Sequence, residues 1–145
     1  MLATVQIVST AQILIDKKVF SSIKSGCLIF LCVEEGDSMR QVKEMTRKIY
    51  NFRMLEGSNG ITSKSLKDTN EDILIVSQFT LAAVTNKGAK PSFHKAAKPD
   101  NAKLLYDAFV DEFRKLLPKV EEGKFGAYME INLINKGPVT FNFCT

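Results

Sequence analysis

The sequence predicts an α+β fold, in which a strand-rich, twisted, partly barrel-like sheet is covered by two main helices. Three patterns carry that expectation. Residues 27–33 and 73–79 are apolar on both faces, as central strands covered on each side must be. Val5 and Ile7, Ile13 and Ile15, Met129 to Leu133 and Val139 to Phe143 follow the alternation of strands. Helical spacing of apolar residues occurs only from Met39 to about Tyr50 and from Pro99 to just before Pro118.

The elements follow in order. Residues 2–33 hold strand signals alone, with a turn at Asp16-Lys17-Lys18 and a break at Ser25-Gly26. Asp37 or Ser38 then caps a helix, and Ser38 with Gln41 fits a capping box, in which each side chain serves a backbone N–H that the helix leaves unpaired. Met39, Val42, Met45, Thr46 and Ile49 form the face of that helix. A short strand over 52–55 and a polar loop over 56–70 come next. The second apolar run leads into Thr80-Leu81-Ala82-Ala83, and residues 84–99 read as irregular. Pro99 opens the second helix, because its missing N–H has no helical partner at that position; Leu104, Leu105, Ala108, Phe109, Phe113 and Leu116 form its expected face. Two alternating strands joined by a turn at Asn135-Lys136-Gly137-Pro138 complete the chain. With no repeat and no boundary, residues 1–145 are expected to form a single domain.

Composition excludes several classes. With 45% apolar and 25% charged residues the 145-residue chain is not a disordered tail, and it is long enough to bury a core without metal or disulfide staples. The opening residues lack the pattern of a secretory signal, and the longest apolar run, 27–33, is far too short to cross a bilayer, so a cytoplasmic protein with no membrane partner is expected. Cys27, Cys32 and Cys144 are too few for a disulfide framework, which points to a reducing compartment. One histidine without paired carboxylates or cysteines gives no recognisable metal-ligand set, so no metal is expected. The net charge of +4 fits an anionic partner.

That charge is unevenly placed. Between Asp72 and Asp100 there is no acidic residue, whereas Lys87, Lys90, Lys95 and Lys98 lie there beside Asn86, Gly88, Ser92 and Phe93. Ammonium groups with glycine and an aromatic ring suit a phosphate backbone and a stacked base, and a solvated loop has the same composition. Ser77-Gln78-Phe79-Thr80 stands where an apolar strand ends, so a rigid strand presents two hydroxyls, an amide and free backbone N–H groups suited to a developing oxyanion. Polar groups that merely satisfy a strand end give the same pattern. His94 is the only histidine, and nothing local orients its ring as a base for Ser77 or Thr80. Cys27 and Cys32 read as core thiols.

Four segments taken together resemble one family: Val76-Ser77-Gln78-Phe79-Thr80-Leu81, Lys87-Gly88-Ala89-Lys90-Pro91-Ser92-Phe93, Gly123-Lys124-Phe125-Gly126-Ala127-Tyr128-Met129 and Asn135-Lys136-Gly137-Pro138-Val139-Thr140. Their order and spacing are similar to the D-aminoacyl-tRNA deacylase (D-tyrosyl-tRNA deacylase) family over essentially the whole chain. The resemblance implies a homodimer that hydrolyses the ester joining a D-amino acid, or glycine, to the terminal adenosine of tRNA, with no metal or organic cofactor. It implies that Ser77, Gln78, Phe79 and Thr80 form the catalytic floor, with the N–H groups of Phe79 and Thr80 polarising the ester. Gly137 and Pro138, joined by a cis peptide in that family, would enter the partner's site and exclude an L side chain. Phe125 and Met129 would enclose the adenine, and Lys87, Lys90, Ser92 and Phe93 would help bind the substrate. An ester beside a ribose hydroxyl supplies its own base, which removes the need for the missing side-chain base.

The chain departs from the family pattern in two places. Ile7 follows Gln6 where the family has an arginine thought to brace the Gly-Pro segment, and Ile61-Thr62-Ser63-Lys64 follows Gly60 where the family has Lys-Met-Asn-Leu. These departures support a second reading, a non-catalytic tRNA- or nucleic-acid-binding paralogue of the same fold. Relatives with a basic C-terminal extension linked to DNA binding form a further version, to which a chain stopping at Thr145 is expected not to belong.

Overall fold

The computed structural model describes residues 1–145 except Lys87 and Pro138. Among the described residues, eight strands and two α-helices are formed: β1 (Leu2–Ile15), β2 (Lys18–Ile23), β3 (Gly26–Cys32), α1 (Met39–Asn51), β4 (Leu55–Gly57), β5 (Gly60–Lys64), β6 (Asp72–Ser77), α2 (Pro99–Arg114), β7 (Val120–Glu122) and β8 (Glu130–Cys144). The main sheet runs β2-β1-β3-β6-β7, and β8 pairs the other edge of β1. Pairing is antiparallel around β1 and parallel for β3-β6 and β6-β7. The sheet curls until its ends meet, where the Ser21 hydroxyl on β2 donates to the Glu122 carbonyl on β7 (3.0 Å). The predicted α+β, partly barrel-like fold is therefore observed.

The apolar runs behave as their composition requires. Along β3 and β6, Cys27, Ile29, Leu31, Ile73 and Ile75 face the helices, while Leu28, Leu74 and Val76 fill the barrel with Val8, Ala11 and Ile13. Gly26 begins β3 at φ +158°, and a Cβ there would collide with the Asp72 carbonyl, which explains a glycine at this crossing. Asp16 and Lys17 take φ of +50° and +63°, the tight turn expected between β1 and β2. The Ser38–Gln41 capping box forms as predicted.

Three expectations are corrected. Residues 130–144 form one strand, not two joined by a turn. Gln6 faces Thr140 and Val8 faces Asn135, so residues 136–139 stand opposite Ile7 alone and bulge out of a ladder that continues on both sides. The polar stretch after residue 55 is not a bare loop: β4 and β5 pair across it, and a single 3₁₀ turn at Leu66–Asp68 follows. The buried face of α2 is Leu105, Tyr106, Phe109, Val110 and Phe113, while Leu104 is 62% exposed. Leu104 lies about 100° around the helix from Leu105, and the Tyr106–Phe113 stripe wins because it carries the larger aromatic surface.

Candidate active site

The site is built on the end of β6. Ser77 pairs with Leu31, the Gln78 N–H donates to the Leu31 carbonyl (2.8 Å), and the chain then leaves the sheet in a 3₁₀ turn over Phe79–Ala82. The first hydrogen bond of that turn runs from the Leu81 N–H to the Gln78 carbonyl (3.2 Å). The N–H groups of Phe79 and Thr80 precede it and are left over by the turn, as the leading donors of any helical segment are. The Gln78 amide donates to the Thr80 hydroxyl instead of capping the turn.

Two other segments complete a cleft of about 540 Å³ around this strand end. The Gly123 N–H donates to the Ile75 carbonyl (2.8 Å), so the chain after β7 stays against β6 and delivers Phe125, Tyr128 and Met129 to the cleft wall. Phe125 is held by the buried Tyr106 ring, 5.7 Å away centre to centre, whose hydroxyl donates to the Ile75 carbonyl (2.8 Å). Pro99 and Ala102 at the start of α2 supply the third side. Ser77, Gln78, Phe79, Phe125 and Met129, far apart in sequence, thus line one cavity, while Thr80 stands exposed next to it.

The lysine loop closes beside this cleft. Val84 and Ser92 exchange backbone hydrogen bonds of 2.8 and 3.1 Å, and Phe93 packs edge-on against Phe79 with centroids 5.0 Å apart. Lys90 is exposed on this loop; the expectation for Lys87 falls outside the described residues. His94 bonds to the Ser92 hydroxyl (2.8 Å) and lines a different groove, with Glu34, Asp37 and Lys95. The one imidazole is therefore not presented to Ser77 or Thr80 from within the cleft. Cys32 lies on the cleft floor with its thiol directed at the Phe79 carbonyl (3.6 Å), and burial pushes it up to about 11, so it is protonated at neutral pH. Among the described residues, no group of three or more His, Cys, Asp or Glu side chains is disposed to hold a metal ion. Among the described residues, no helix is long and apolar enough to cross a membrane.

Gly137 lies elsewhere. It lines a second cleft, of about 610 Å³, with Ile7, Gly26, Gly57, Ile61 and Glu71, where Lys136 on the bulge pairs with Glu56 on β4–β5 (2.9 Å). Gly26 is five positions along the β3–β6 ladder from the Leu31–Ser77 pair, about 16 Å at roughly 3.3 Å per residue. Pro138 lies outside the described residues, and with it the cis peptide that the resemblance implied. Ile7 and Ile61, the latter the first residue of the departing segment Ile61-Thr62-Ser63-Lys64, meet in this one cleft. The sequence offered no signal that they were neighbours. Tyr128 and Pro99 were likewise not singled out as cleft residues, since only their position in the fold distinguishes them.

The comparisons with known proteins agree with the resemblance. The model of the D-Tyr-tRNA(Tyr) deacylase family matches residues 4–144. A D-aminoacyl-tRNA deacylase of Shewanella denitrificans is 43% identical over 142 residues, covering 98% of each chain. One from a Sulfurihydrogenibium species is 45% identical over 141 residues, 97% of this chain and 95% of that one. Among solved structures, the c-Myc DNA Unwinding Element Binding Protein superposes with a TM-score of 0.94 at 37% identity, covering 100% of this chain and 99% of that one. A probable eukaryotic D-amino acid tRNA deacylase shares the fold, with a TM-score of 0.81 at 20% identity and coverage of 98% and 97%. By the length of the family match and the identity of these relatives, the chain belongs to the D-Tyr-tRNA(Tyr) deacylase family.

Proposed function

We propose that the chain hydrolyses the ester of D-aminoacyl-tRNA in the cleft at the end of β6. The observation that carries this reading is the convergence of Ser77, Gln78 and Phe79 with Phe125 and Met129 around one cavity, next to backbone N–H groups that the 3₁₀ turn leaves over. The Phe79 and Thr80 N–H groups polarise the ester carbonyl and hold the oxyanion as it forms. The neighbouring ribose hydroxyl of the terminal adenosine positions the attacking water, whose oxygen bonds to the carbonyl carbon. The acyl–oxygen bond then breaks, and the released ribose oxygen takes a proton. Phe125 and Met129 enclose the adenine. This division of labour needs no side-chain base, which agrees with the placement of His94 in another groove.

Chiral selection is assigned to Gly137 and Pro138 of a second copy. Within one chain Gly137 lines a different cleft from Ser77, one that it shares with Gly26, itself five ladder positions or about 16 Å from the Leu31–Ser77 pair, and a homodimer would bring the two into one site. A main-chain wall cannot relax to admit a Cβ on the wrong side, whereas glycine and a D-residue leave that side empty.

The second reading, a nucleic-acid-binding paralogue without turnover, draws on Ile7 and Ile61 sharing the Gly137 cleft and on the likeness to a protein named for binding a DNA unwinding element. Purified chain assayed with matched D-tyrosyl-, L-tyrosyl- and glycyl-tRNA separates the two. Turnover of the D and glycyl esters with the L ester spared supports the first reading, and binding without turnover supports the second.

A further inference from the structure

Two residues at the rim of the cleft break the rules of their own local structure, and both breaks suit the same ligand. Tyr128 lines the cleft yet is 92% exposed, so its ring contributes almost nothing to the core. Lys98 is the N-cap of α2, and its side chain makes no cap hydrogen bond. Ser, Thr, Asp or Asn would accept from the leading N–H groups there, whereas lysine has no acceptor and sets a positive charge at the positive end of the helix dipole. Lys98 is exposed and immediately precedes Pro99, which lines the cleft together with Phe125 and Tyr128. Departures from local preference that have no structural return are the mark of positions kept for function.

We propose that Lys98 and Tyr128 form a rim subsite for the unpaired 3′ end of the tRNA, in which Tyr128 stacks on a base upstream of the terminal adenosine and Lys98 neutralises a backbone phosphate. The inference rests on the reading of this cleft as the deacylation site. A single-stranded nucleotide presents a flat base and a phosphate side by side, and an exposed ring on the cleft wall with an exposed lysine one residue before a second wall residue, Pro99, suits that pair. Stacking tolerates any base, and a lysine neutralises a phosphate as a point charge without fixed geometry, so the subsite reads the presence of an RNA end rather than its sequence. An acidic N-cap, better for the helix, would repel the same phosphate.

The test compares hydrolysis of D-tyrosyl-tRNA with that of D-tyrosyl-adenosine, which carries neither a phosphate nor a neighbouring base. Lys98→Ser and Tyr128→Ala are each expected to raise KM for the tRNA ester roughly three- to tenfold, by more than any change with the adenosine ester. Lys98→Ser should also flatten the slope of log KM against log salt by about 0.7 to 0.9, the share of one phosphate contact. The same change restores a cap, so Tm should rise by about 2–4 °C while binding worsens. Lys98→Arg and Tyr128→Phe should recover the wild-type KM. A Lys98→Ser variant with higher Tm but unaltered KM and salt slope overturns the subsite, as does a Tyr128→Ala loss equal on both substrates. Phe125→Ala reports on the cleft itself and should be impaired with both esters. If it is impaired while the rim variants match wild type on tRNA, only the subsite falls; if it is unimpaired with both, the cleft reading falls and the subsite with it.

Discussion

The two clefts of this molecule are built in opposite ways. The one at the end of β6 is presented by strands buried on both faces, and the groups offered to a substrate are largely backbone and fixed rings: the Phe79 and Thr80 N–H groups, and Phe125 held against Tyr106. The one around Gly137 is bounded by a bulge in β8 and by the small β4–β5 hairpin, and its polar link, Lys136 to Glu56, joins two side chains that are 52% and 60% exposed. An exposed ion pair of that kind contributes about 0–1 kcal/mol. The proposed function thus puts chemistry on the rigid part and selection on the soft part. Ile7 and the first residue of the Ile61–Lys64 segment, where the chain departs from the family pattern, fall in the soft part. A strand-end N–H survives every substitution but proline, whereas a bulge can be braced by an arginine or by apolar contact.

The largest effect that sharpens this contrast comes from the substrate. Replacing the ribose hydroxyl of the terminal adenosine with hydrogen should cut single-turnover hydrolysis by roughly 10²–10⁴-fold if that hydroxyl does the work of a general base. A 2′-deoxy ester cleaved at the wild-type rate would return the search to protein side chains. Next in size is Gly137→Ala. The residue sits at φ +155°, and its Cβ would collide with the Val139 backbone nitrogen, so the bulge must shift. D-aminoacyl-tRNA turnover should fall tenfold or more, on the order of 1.4 kcal/mol of transition-state binding. Unchanged turnover would remove the bulge from the site.

The proposed dimer would join the two regions and has its own signature. Gly137→Ala and a cleft variant, Phe125→Asp, should each be nearly inactive alone. Mixed in equal amounts with exchange of subunits, they should regain about a quarter of the wild-type activity, because half the dimers are mixed and each holds one intact site. No recovery, with subunit exchange verified by mass, would place both halves of the site in one chain.

How much of this was legible in the sequence follows the same division. The buried strands, both helices and the Ser38–Gln41 cap were readable because each is set by local periodicity or by residues three apart. The strand end at Ser77 was readable as the place where an apolar run stops. The Gly137 region was misread as a turn between two strands. Asn-Lys-Gly-Pro suits a turn or a bulge equally, and the choice was made by β1, a 14-residue strand more than a hundred positions away that pairs both flanks. Likewise Gly57 and Gly60 looked like loop residues until the β4–β5 pairing gave them a hairpin. The meeting of Ile7 with Ile61 is a property of that pairing and of no local pattern.

A smaller effect is expected from restoring the family's residue. Ile7 is 6% exposed and packs in the core under the bulge, and the acidic groups sharing its cleft are Glu56 and Glu71. Ile7→Arg loses apolar burial and gains a carboxylate partner, so Tm should fall by a few degrees while rejection of the L ester improves by about tenfold through a stiffer Gly137 segment. A fall in Tm with the D-to-L ratio unmoved would show that the isoleucine does the bracing equally well.

The smallest effect is expected at Thr80, and it tests the rigid half directly. Its hydroxyl accepts from the Gln78 amide and is exposed, and the only histidine lines another groove, so among the described residues no imidazole is placed to take its proton. Thr80→Ala keeps the N–H and removes the hydroxyl, and single-turnover hydrolysis should stay within about threefold, less than 1 kcal/mol. The cleft thiol does not substitute for it. Burial holds Cys32 up near 11, so its contribution to stability is fully present below the thiol's ordinary range and is lost as pH rises through 11. Activity between pH 6 and 8 should therefore show no ionisation of this group. A hundredfold loss in a folded Thr80→Ala dimer would make the side chain the nucleophile, and the division of labour between a backbone site and a soft selector would no longer hold.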